Sequence, residues 1–359
     1  MKENLLIVFP TEKQVEYLYQ LRKELNEVII IEQNPYSKDF CCENIRIYSK
    51  NDNVRFLQTF YDLKVLCCHE EAIYWCAKNG GENWNYQFSK NYLSMLNKVS
   101  FKTYLKEESV LTSNFFTKID KSFCYPVVAK PSFGFGSIGV CQISNAKDAQ
   151  NYTNQFEELI FNSSIKKYQD YYFKQENNRV VFEEKIVGDF YRIPFAITKD
   201  NKKLIFPIKG LMNTKRSNSD FHWSDFEYSM PEKNFLYELD VVFEKLKCIF
   251  SLQAGVYVAE VIKNNDGVYL LEFSPRQTSE RLSKMIKLAT GFDMEQASVN
   301  LFLGIDSELS SKNKTVRMCI EKGNFTALPL NEYRLIYQQK EVSVYNEDIV
   351  SSYYEKLEV

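Results

Sequence analysis

Short apolar runs alternate with helical patterns over roughly the first 90 residues of the chain. The runs Leu5–Phe9, Val28–Ile31 and Val65–Cys68 are bounded by polar residues, which predicts β-strands. Apolar residues recur at helical spacing from Glu12 to Leu25, and a second helix is predicted to begin at His69–Glu71 and to end before two glycines. Strands that alternate with helices predict a small parallel α/β unit whose ligands bind at the carboxyl ends of the strands.

Beyond this unit, helices mix with antiparallel strands. One helix is predicted over Phe88–Leu105, where Lys98 and Lys102 share a face that we expect to be solvated. The other predicted helices are Val54–Tyr61, which lies within the first 90 residues, and Asn145–Leu159, Phe235–Phe250, Glu280–Ala289 and Met294–Leu303 beyond them. The predicted strands are Val127–Val128, Val140–Ile143, Val180–Phe182, Tyr191–Thr198, Lys203–Ile208, Gly255–Val261 and Val268–Phe273. Residues 162–177 and 210–231 are predicted to form loops. Short strands and turns are expected beyond residue 314.

Composition narrows the class of protein. A chain of 359 residues exceeds what one hydrophobic core organises, so two or three subdomains are expected. The net charge of −2 argues against a nucleic-acid binder that relies on a positive field. No stretch approaches the ~20 apolar residues that span a bilayer, so no membrane partner is expected. Nine cysteines without a C-x-x-C pair, and no export signal, fit a reducing cytoplasm. Two histidines are too few for a multi-histidine metal site.

Three glycines, Gly134, Gly136 and Gly139, lie between two segments of strand-like composition. Their G-x-G-x-x-G spacing is followed by a strand pattern and not by a helix, so the context is not that of a dinucleotide-binding fold. A loop of this kind exposes backbone amides that can close over phosphates. Lys130, at the end of the first strand, would add an ammonium group to the same phosphates. The alternative is a flexible hairpin with an incidental lysine.

Two glutamates, Glu260 and Glu272, lie on neighbouring strands of a second predicted hairpin, and Arg276 follows it. Antiparallel strands can present two such side chains on one face. Carboxylates among apolar neighbours are costly unless they are paired or bind a metal, and hard oxygen ligands suit Mg²⁺. The arginine offers a fork for phosphate or carboxylate. The alternative is a buried salt bridge between Glu272 and Arg276.

Two further segments are candidates for substrate contact. His69, Glu70 and Glu71 follow a predicted parallel strand, at the edge where such sheets bind ligands. The alternative is that these acids merely favour a helix N-terminus through its dipole. The irregular segment 210–231 mixes charged and aromatic residues and could equally be plain surface. Those residues are Lys215, Arg216, His222, Trp223 and Asp225.

Taken in order, these features resemble the ATP-grasp superfamily, in particular its carboxylate–amine ligase branch. The segments that carry the resemblance are Lys130-Pro131 with the three glycines, Glu183-Glu184, and Glu260 followed by Glu272-Phe273-Ser274-Pro275-Arg276. The resemblance covers roughly residues 1–305. It implies an α/β fold with a Rossmann-like N-terminal domain at 1–95 and two α+β subdomains, 96–179 and 180–308, that clamp ATP. Residues 309–359 would form a β-rich appendage.

The resemblance also implies roles for individual residues. Lys98 and Lys130 would contact the phosphates of ATP, with Lys209 as a further contact, and Arg276 would steady the transferred phosphoryl group. The flexible phosphate loop would use Ser132, Gly134, Gly136, Ser137 and Gly139. Glu183 would meet the adenine amino group, the backbone of Glu184 to Ile186 would contact the adenine ring, and Asp189 would contact the ribose. The metal, Mg²⁺ or Mn²⁺, would be held by Glu260, Glu272 and Ser274.

The chain departs from the family pattern at three positions. Ser274 stands where the family usually has asparagine as a third metal ligand, and a hydroxyl is a poorer ligand. Phe190 stands where the ribose-binding acid is usual, so Asp189 is expected to substitute one position earlier. Asn97 replaces a common aspartate. The two phosphate lysines and the two acids are all present, which favours an active enzyme.

The function implied is an ATP-dependent ligase that joins a small-molecule carboxylate to an amine through an acyl phosphate and releases ADP and phosphate. A homodimer is what the family resemblance implies. One alternative is an ATP-grasp kinase that phosphorylates a small molecule without ligation, and another is a non-catalytic nucleotide-binding module. A protein kinase is disfavoured because no H-R-D or D-F-G motif follows the glycines.

Overall fold

The computed structural model describes residues 4–33, 40–60, 62–118, 124–134, 139–161, 179–211, 225–229, 231–307, 315–322, 334–345 and 348–358. Several sequence predictions lie outside these residues, namely the loop at 162–177, Gly136 and Ser137, and Lys215, Arg216, His222 and Trp223. Within the described residues, no helix combines the length and the apolar character needed to cross a membrane. The domain boundaries proposed above stay predictions.

The N-terminal unit is the predicted parallel sheet, with two strands more than expected. Its strands are β1 (Leu5–Val8), β2 (Val28–Glu32), β3 (Ile45–Ser49), β4 (Leu63–Cys67) and β5 (Trp84–Tyr86), in the order β3-β2-β1-β4-β5. Helix α1 (Glu12–Leu21) follows β1, and α2 (Glu70–Asn79) follows β4. Alternate residues of β1 pack into two hydrophobic clusters, one with α2 and one with α1, because helices cover both faces.

Sequence patterns erred mainly at the edges of this sheet. The outer strands β3 and β5 were missed, because β3 is only partly buried and β5 has three residues. The helix predicted over Val54–Tyr61 is a single 3₁₀ segment, Arg55–Thr59. The helix predicted to reach Leu25 ends at Leu21.

The helix predicted over Phe88–Leu105 is two helices, α3 (Asn91–Ser94) and α4 (Lys98–Glu107). The break lies at Asn97, whose side chain accepts hydrogen bonds from the backbone N–H groups of Val99 and Ser100 and so caps α4. The predicted solvated face is also wrong, because Lys102 is 1% exposed and lies on the buried side of α4.

A four-stranded antiparallel sheet contains the glycine hairpin. Its strands are β6 (Phe115–Phe116), β7 (Val127–Pro131), β8 (Cys141–Ile143) and β9 (Val180–Glu184), in the order β6-β9-β7-β8. Val127 pairs with Ile143, which confirms the predicted arrangement of strand, glycine loop and strand. Helix α5 (Ala146–Phe161) follows β8.

A nine-stranded sheet forms the remainder of the described chain. It comprises β10 (Asp189–Ile197), β11 (Lys203–Ile205), β12 (Ile208–Leu211), β13 (Asp225–Tyr228), β14 (Gly255–Asn264), β15 (Gly267–Ser274), β16 (Thr315–Lys322), β17 (Arg334–Tyr345) and β18 (Asp348–Glu358). The order is β15-β14-β10-β12-β13-β16-β18-β17, and β11 pairs with β10. Helices α6 (Lys233–Phe250), α7 (Glu280–Thr290) and α8 (Met294–Phe302) agree with their predictions.

Three expectations for this sheet were wrong. The single strand predicted over Lys203–Ile208 is divided between β11 and β12, which pair with different parts of β10. The supposedly irregular segment 210–231 contains β13. The C-terminal strands β17 and β18 are 12 and 11 residues long, not short, and β16 continues the same sheet by pairing with β13.

Aromatic packing fixes α3 against the hairpin that carries the two glutamates. The ring of Tyr92 meets Phe250 and Phe273 edge-on, at centroid distances of 5.3 and 5.8 Å. The Tyr92 hydroxyl donates to the Phe273 carbonyl at 2.6 Å. Phe273 is adjacent to Glu272, so the hydrophobic core sets the position of that carboxylate.

Candidate active site

A cavity of about 760 Å³ lies between the four-stranded and nine-stranded sheets, with Glu70 of α2 at its rim. Most of the predicted site residues that the structure describes line it. They are Lys130, Glu183, Glu184, Ile186, Asp189, Lys209, Glu260, Glu272, Ser274 and Arg276. Clefts of this size accommodate cofactors and small substrates.

The glycine loop is tied to the protein at both of its described ends. The Gly134 carbonyl accepts a hydrogen bond from Lys98 Nζ at 2.7 Å, and the Gly134 N–H donates to the Tyr74 hydroxyl. Gly139, in the left-handed region with φ of 74°, accepts from the Tyr152 hydroxyl. Ser132 is fully buried, and its carbonyl accepts from the Lys98 N–H at 2.8 Å. The start of the loop is therefore joined to the start of α4.

Lys130 belongs to a buried group of three charges. Its ammonium lies 3.2 Å from Glu183 Oε2, and Lys102 Nζ lies 3.2 Å from the same oxygen. Burial alone would raise the pKa of Glu183, but the two lysines outweigh it and lower that pKa to about 2. Burial would likewise lower the pKa of Lys130, but Glu183 and Glu272 raise it. Lys130 is therefore a fixed cation at the cavity wall.

The carboxylates Glu260 and Glu272 face each other directly across the β14–β15 pair, as predicted. The pKa of Glu272 is raised above its ordinary value. Burial raises it most, the Lys98 ammonium partly offsets this, and the neighbouring Glu260 raises it further. Lys98 Nζ lies 3.8 Å from Glu272 Oε1, so one of the two lysines predicted to contact phosphate is beside the acid pair. Two acids at this spacing repel each other, which a cation between them would relieve.

Arg192 is a cavity residue that the sequence predictions missed. It pairs in register with Glu260 across β10 and β14, and its Nε donates to Glu260 Oε1 at 2.8 Å. The signal available was a lone arginine inside the apolar strand segment that runs on to Phe195. Nothing local indicated which acid it would meet.

Arg276 pairs with Glu70, not with Glu272 as the salt-bridge alternative required. Its Nε donates to Glu70 Oε2 at 2.6 Å, and the Ser274 hydroxyl donates to the same oxygen at 2.7 Å. Burial would raise the pKa of Glu70, but the Arg276 guanidinium overcomes it and lowers that pKa. The N-terminal α/β unit therefore contributes Glu70, at the start of α2, to the cavity. Of its two neighbours, His69 caps α2 and Glu71 accepts from Gln33.

The predicted adenine hinge and ribose contact also line the cavity. Glu184 donates its N–H to the Asn114 carbonyl at 2.8 Å and accepts from the Asn114 side chain. Asp189 and Lys209 form an exposed ion pair at 2.8 Å. Phe190, which stands where an acid was expected, is buried, as is usual for a large apolar side chain.

The donors present are compatible with a hard divalent cation. No group of three or more His, Cys, Asp or Glu side chains that could hold a metal occurs among the described residues. Two opposed carboxylates fit Mg²⁺ when phosphate oxygens and waters complete the octahedron, which is how that ion is usually held beside nucleotides. The Ser274 hydroxyl is already engaged by Glu70, so it is a weaker candidate ligand than the acids.

Residues 123–284 match the family model of the ATP-grasp domain. A search of curated proteins finds none that matches the sequence.

Solved structures of similar fold cover nearly the whole chain. An L-amino acid ligase from Bacillus licheniformis is 13% identical, with a TM-score of 0.65, over 100% of this chain and 94% of that chain. An N5-carboxyaminoimidazole ribonucleotide synthetase from Thermotoga maritima is 13% identical, with a TM-score of 0.66, over 99% and 94%. A biotin carboxylase domain of Hydrogenobacter thermophilus 2-oxoglutarate carboxylase, complexed with MgADP and bicarbonate, is 13% identical, with a TM-score of 0.63, over 99% and 86%. Residues 123–284 are therefore similar to the ATP-grasp domain, and the chain shares the overall fold of these solved structures along nearly its whole length.

Proposed function

We propose that the protein is an ATP-dependent ligase that joins a carboxylate to an amine through an acyl phosphate. The observation that carries the proposal is the meeting of two cations and two acids at one cavity. Lys130 lines the wall, Lys98 lies 3.8 Å from Glu272, and Glu260 faces Glu272 across the strand pair. Such a constellation neutralises a triphosphate without supplying a nucleophile of its own.

The nucleotide would lie along the cavity from the hinge to the acid pair. The backbone at Glu184 to Ile186 would contact the adenine ring, and Asp189 would contact the ribose. Glu183 Oε1 is buried without a hydrogen-bond partner in the described structure, which supports its assignment as acceptor for the adenine amino group. Lys98 and Lys130 would bind the phosphates, with Lys209 as a further contact.

Glu260 and Glu272 would hold Mg²⁺ or Mn²⁺, with Ser274 as the weaker third donor. When bound, the ion would offset the negative charge that develops on the phosphate oxygens. The protein's part is to keep the two carboxylates opposed, which the pairing of β14 with β15 supports.

The chemistry has two displacement steps. A carboxylate oxygen of the substrate attacks the γ-phosphorus of ATP, the bond to the β-phosphate oxygen breaks, and ADP leaves. The free amine then attacks the acyl carbon, inorganic phosphate leaves, and the nitrogen loses a proton to give the amide. Arg276 would steady the phosphoryl group between these steps, because its guanidinium is held at the rim by Glu70. Water must be excluded while the acyl phosphate exists.

The similar structures support this reaction class through their fold. They include an L-amino acid ligase and a phosphoribosylglycinamide synthetase. We further propose a cytoplasmic enzyme that acts on small molecules, and a homodimer.

The test is an ADP-release screen of carboxylates against amines, followed by mass detection of the product. The expected result is ADP and amide in equal amounts. ADP with a phosphorylated product and no amide would favour a kinase, and no ADP with any pair would count against an enzyme.

A matched pair of variants makes the screen specific to the acid pair. Glu272→Gln should lower ADP release at least ~100-fold, because one of the two metal carboxylates is gone. Asp266→Asn changes an exposed acid in the turn of the same hairpin and should leave release unchanged. Equal rates in the two variants would refute the assigned role of Glu272.

A further inference from the structure

Lys102 is a buried cation to which neither the sequence nor the proposed chemistry assigns a role. Its side chain is 1% exposed, and burying an ammonium group is costly unless it is fully partnered. Three partners surround its Nζ: Glu183 Oε2 at 3.2 Å, Thr112 Oγ1 at 3.0 Å and Ser113 Oγ at 2.9 Å. An ammonium has three protons to donate, so Lys102 is saturated within the protein.

The first connection runs from Lys102 to the phosphate lysine. Lys102 and Lys130 share one oxygen of Glu183, and Ser113 donates to the same oxygen at 3.0 Å. The other oxygen, Oε1, is buried and has no hydrogen-bond partner in the described structure, and Glu183 lines the cavity. One negative charge, that of Glu183, therefore lies between two positive charges. The group as a whole is positive, so Lys130 still presents positive charge to the cavity.

The second connection runs from Lys102 to the strand of the acid pair. Thr112, held by Lys102, donates its hydroxyl to the Leu270 carbonyl at 2.7 Å. The Leu270 N–H in turn donates to the Leu111 carbonyl at 2.8 Å. Leu270 lies on β15, two positions before Glu272. One buried ammonium thus contacts groups that fix both the lysine strand and the carboxylate strand.

We propose that Lys102 is a positioning residue for the nucleotide phosphates: through Glu183 it directs Lys130 toward them, and through Thr112 it sets their distance from Glu272. The inference rests on the proposed nucleotide site and adds a residue that never contacts the nucleotide. Without Lys102, Glu183 retains Lys130 as its one cation, and the Lys130 ammonium is drawn away from the phosphates. Phosphate binding then weakens, while the adenine contacts remain.

The experiment compares Lys102→Met with Lys106→Met in the full-length protein. Lys106 lies one turn further along α4 and is exposed, so it controls for loss of a lysine from this helix. Isothermal titration calorimetry measures the Kd of each variant for ADP with Mg²⁺ and for adenosine. Lys102→Met should weaken ADP binding by about tenfold to a hundredfold, as expected for a charged hydrogen bond. Adenosine affinity should change by less than about threefold, and Lys106→Met should match the unmodified protein.

Equal weakening for ADP and adenosine would reduce Lys102 to a purely structural role and overturn the proposal, as would unchanged ADP binding. Failure of the unmodified protein to bind ADP would overturn the nucleotide site as well, which separates the two claims. If Lys102→Met does not fold, Lys102→Gln removes the charge but keeps amide donors for Thr112 and Ser113 and leaves Glu183 in place. This variant should bind adenosine within about threefold of the unmodified protein and still lose ADP affinity, and normal ADP affinity in it would refute the proposal.

Discussion

Replacing Glu183 by glutamine tests the buried charge group most directly. Glutamine keeps the size of the side chain and an acceptor oxygen but removes the charge that Lys102 and Lys130 share. The pKa of Glu183 is about 2 against an ordinary value of 4.5, because the two ammonium groups outweigh the effect of burial. Each pKa unit corresponds to about 1.4 kcal/mol, so the ionised carboxylate contributes about 3 kcal/mol of stability at neutral pH. Removing one partner of a buried ion pair typically costs a similar ~3–5 kcal/mol.

The sign of the pH dependence follows from the lowered pKa. The contribution of Glu183 is complete above pH 4.5, the value in the unfolded chain, and is lost as the pH falls toward 2. The free energies of unfolding of the native protein and of Glu183→Gln should therefore differ by about 3 kcal/mol at pH 7 and converge in acid.

Urea unfolding followed by tryptophan fluorescence, repeated from pH 7 down to pH 3, measures both quantities. Glu184→Gln is the matched control, because this neighbouring acid on β9 is exposed and its loss should cost less than about 0.5 kcal/mol. A Glu183→Gln protein within about 1 kcal/mol of the native one at pH 7, or a gap that does not close in acid, would refute the buried-triad reasoning.

Three further outcomes are expected. Burial lowers the pKa of Lys102 to about 8, so below pH 8 the folded native protein bears the cost of a buried charge, and this cost disappears as the pH rises to 10.5. Lys102→Met carries no such charge and should therefore lose up to about 3 kcal/mol of stability relative to the native protein over this range. A constant difference between the two proteins in urea titrations would contradict this. Gly139→Ala should lower the melting temperature, since φ is 74° and a Cβ would lie 3.0 Å from Pro131 Cγ; differential scanning calorimetry decides, with an unchanged Tm as the adverse result. Arg276→Lys should reduce kcat for ADP release by more than about tenfold, because lysine keeps the charge but not the fork that Glu70 orients; an unchanged kcat would remove Arg276 from the reaction.

Local sequence patterns were sufficient to predict an element whose apolar residues follow a single spacing. The strands of the N-terminal sheet centre are uniformly apolar, and the two hairpins carry turn residues between alternating or apolar segments, so their existence and pairing were predictable. That Glu260 and Glu272 can share a face was predictable from an antiparallel hairpin, but their direct pairing depends on a register shift between Glu260 and Val261 that no sequence pattern indicated.

Long-range packing decided the rest. Lys102 has the helical spacing of a surface lysine. Its charge can be buried because Glu183, on a distant strand, pairs with it. The partner of Arg276 is Glu70, more than 200 positions away, so no local pattern could have chosen it over Glu272. Arg192 likewise meets Glu260 only because β10 pairs with β14. Sequence periodicity records which face of an element is apolar, whereas the identity of a charge's partner depends on which elements the chain brings together.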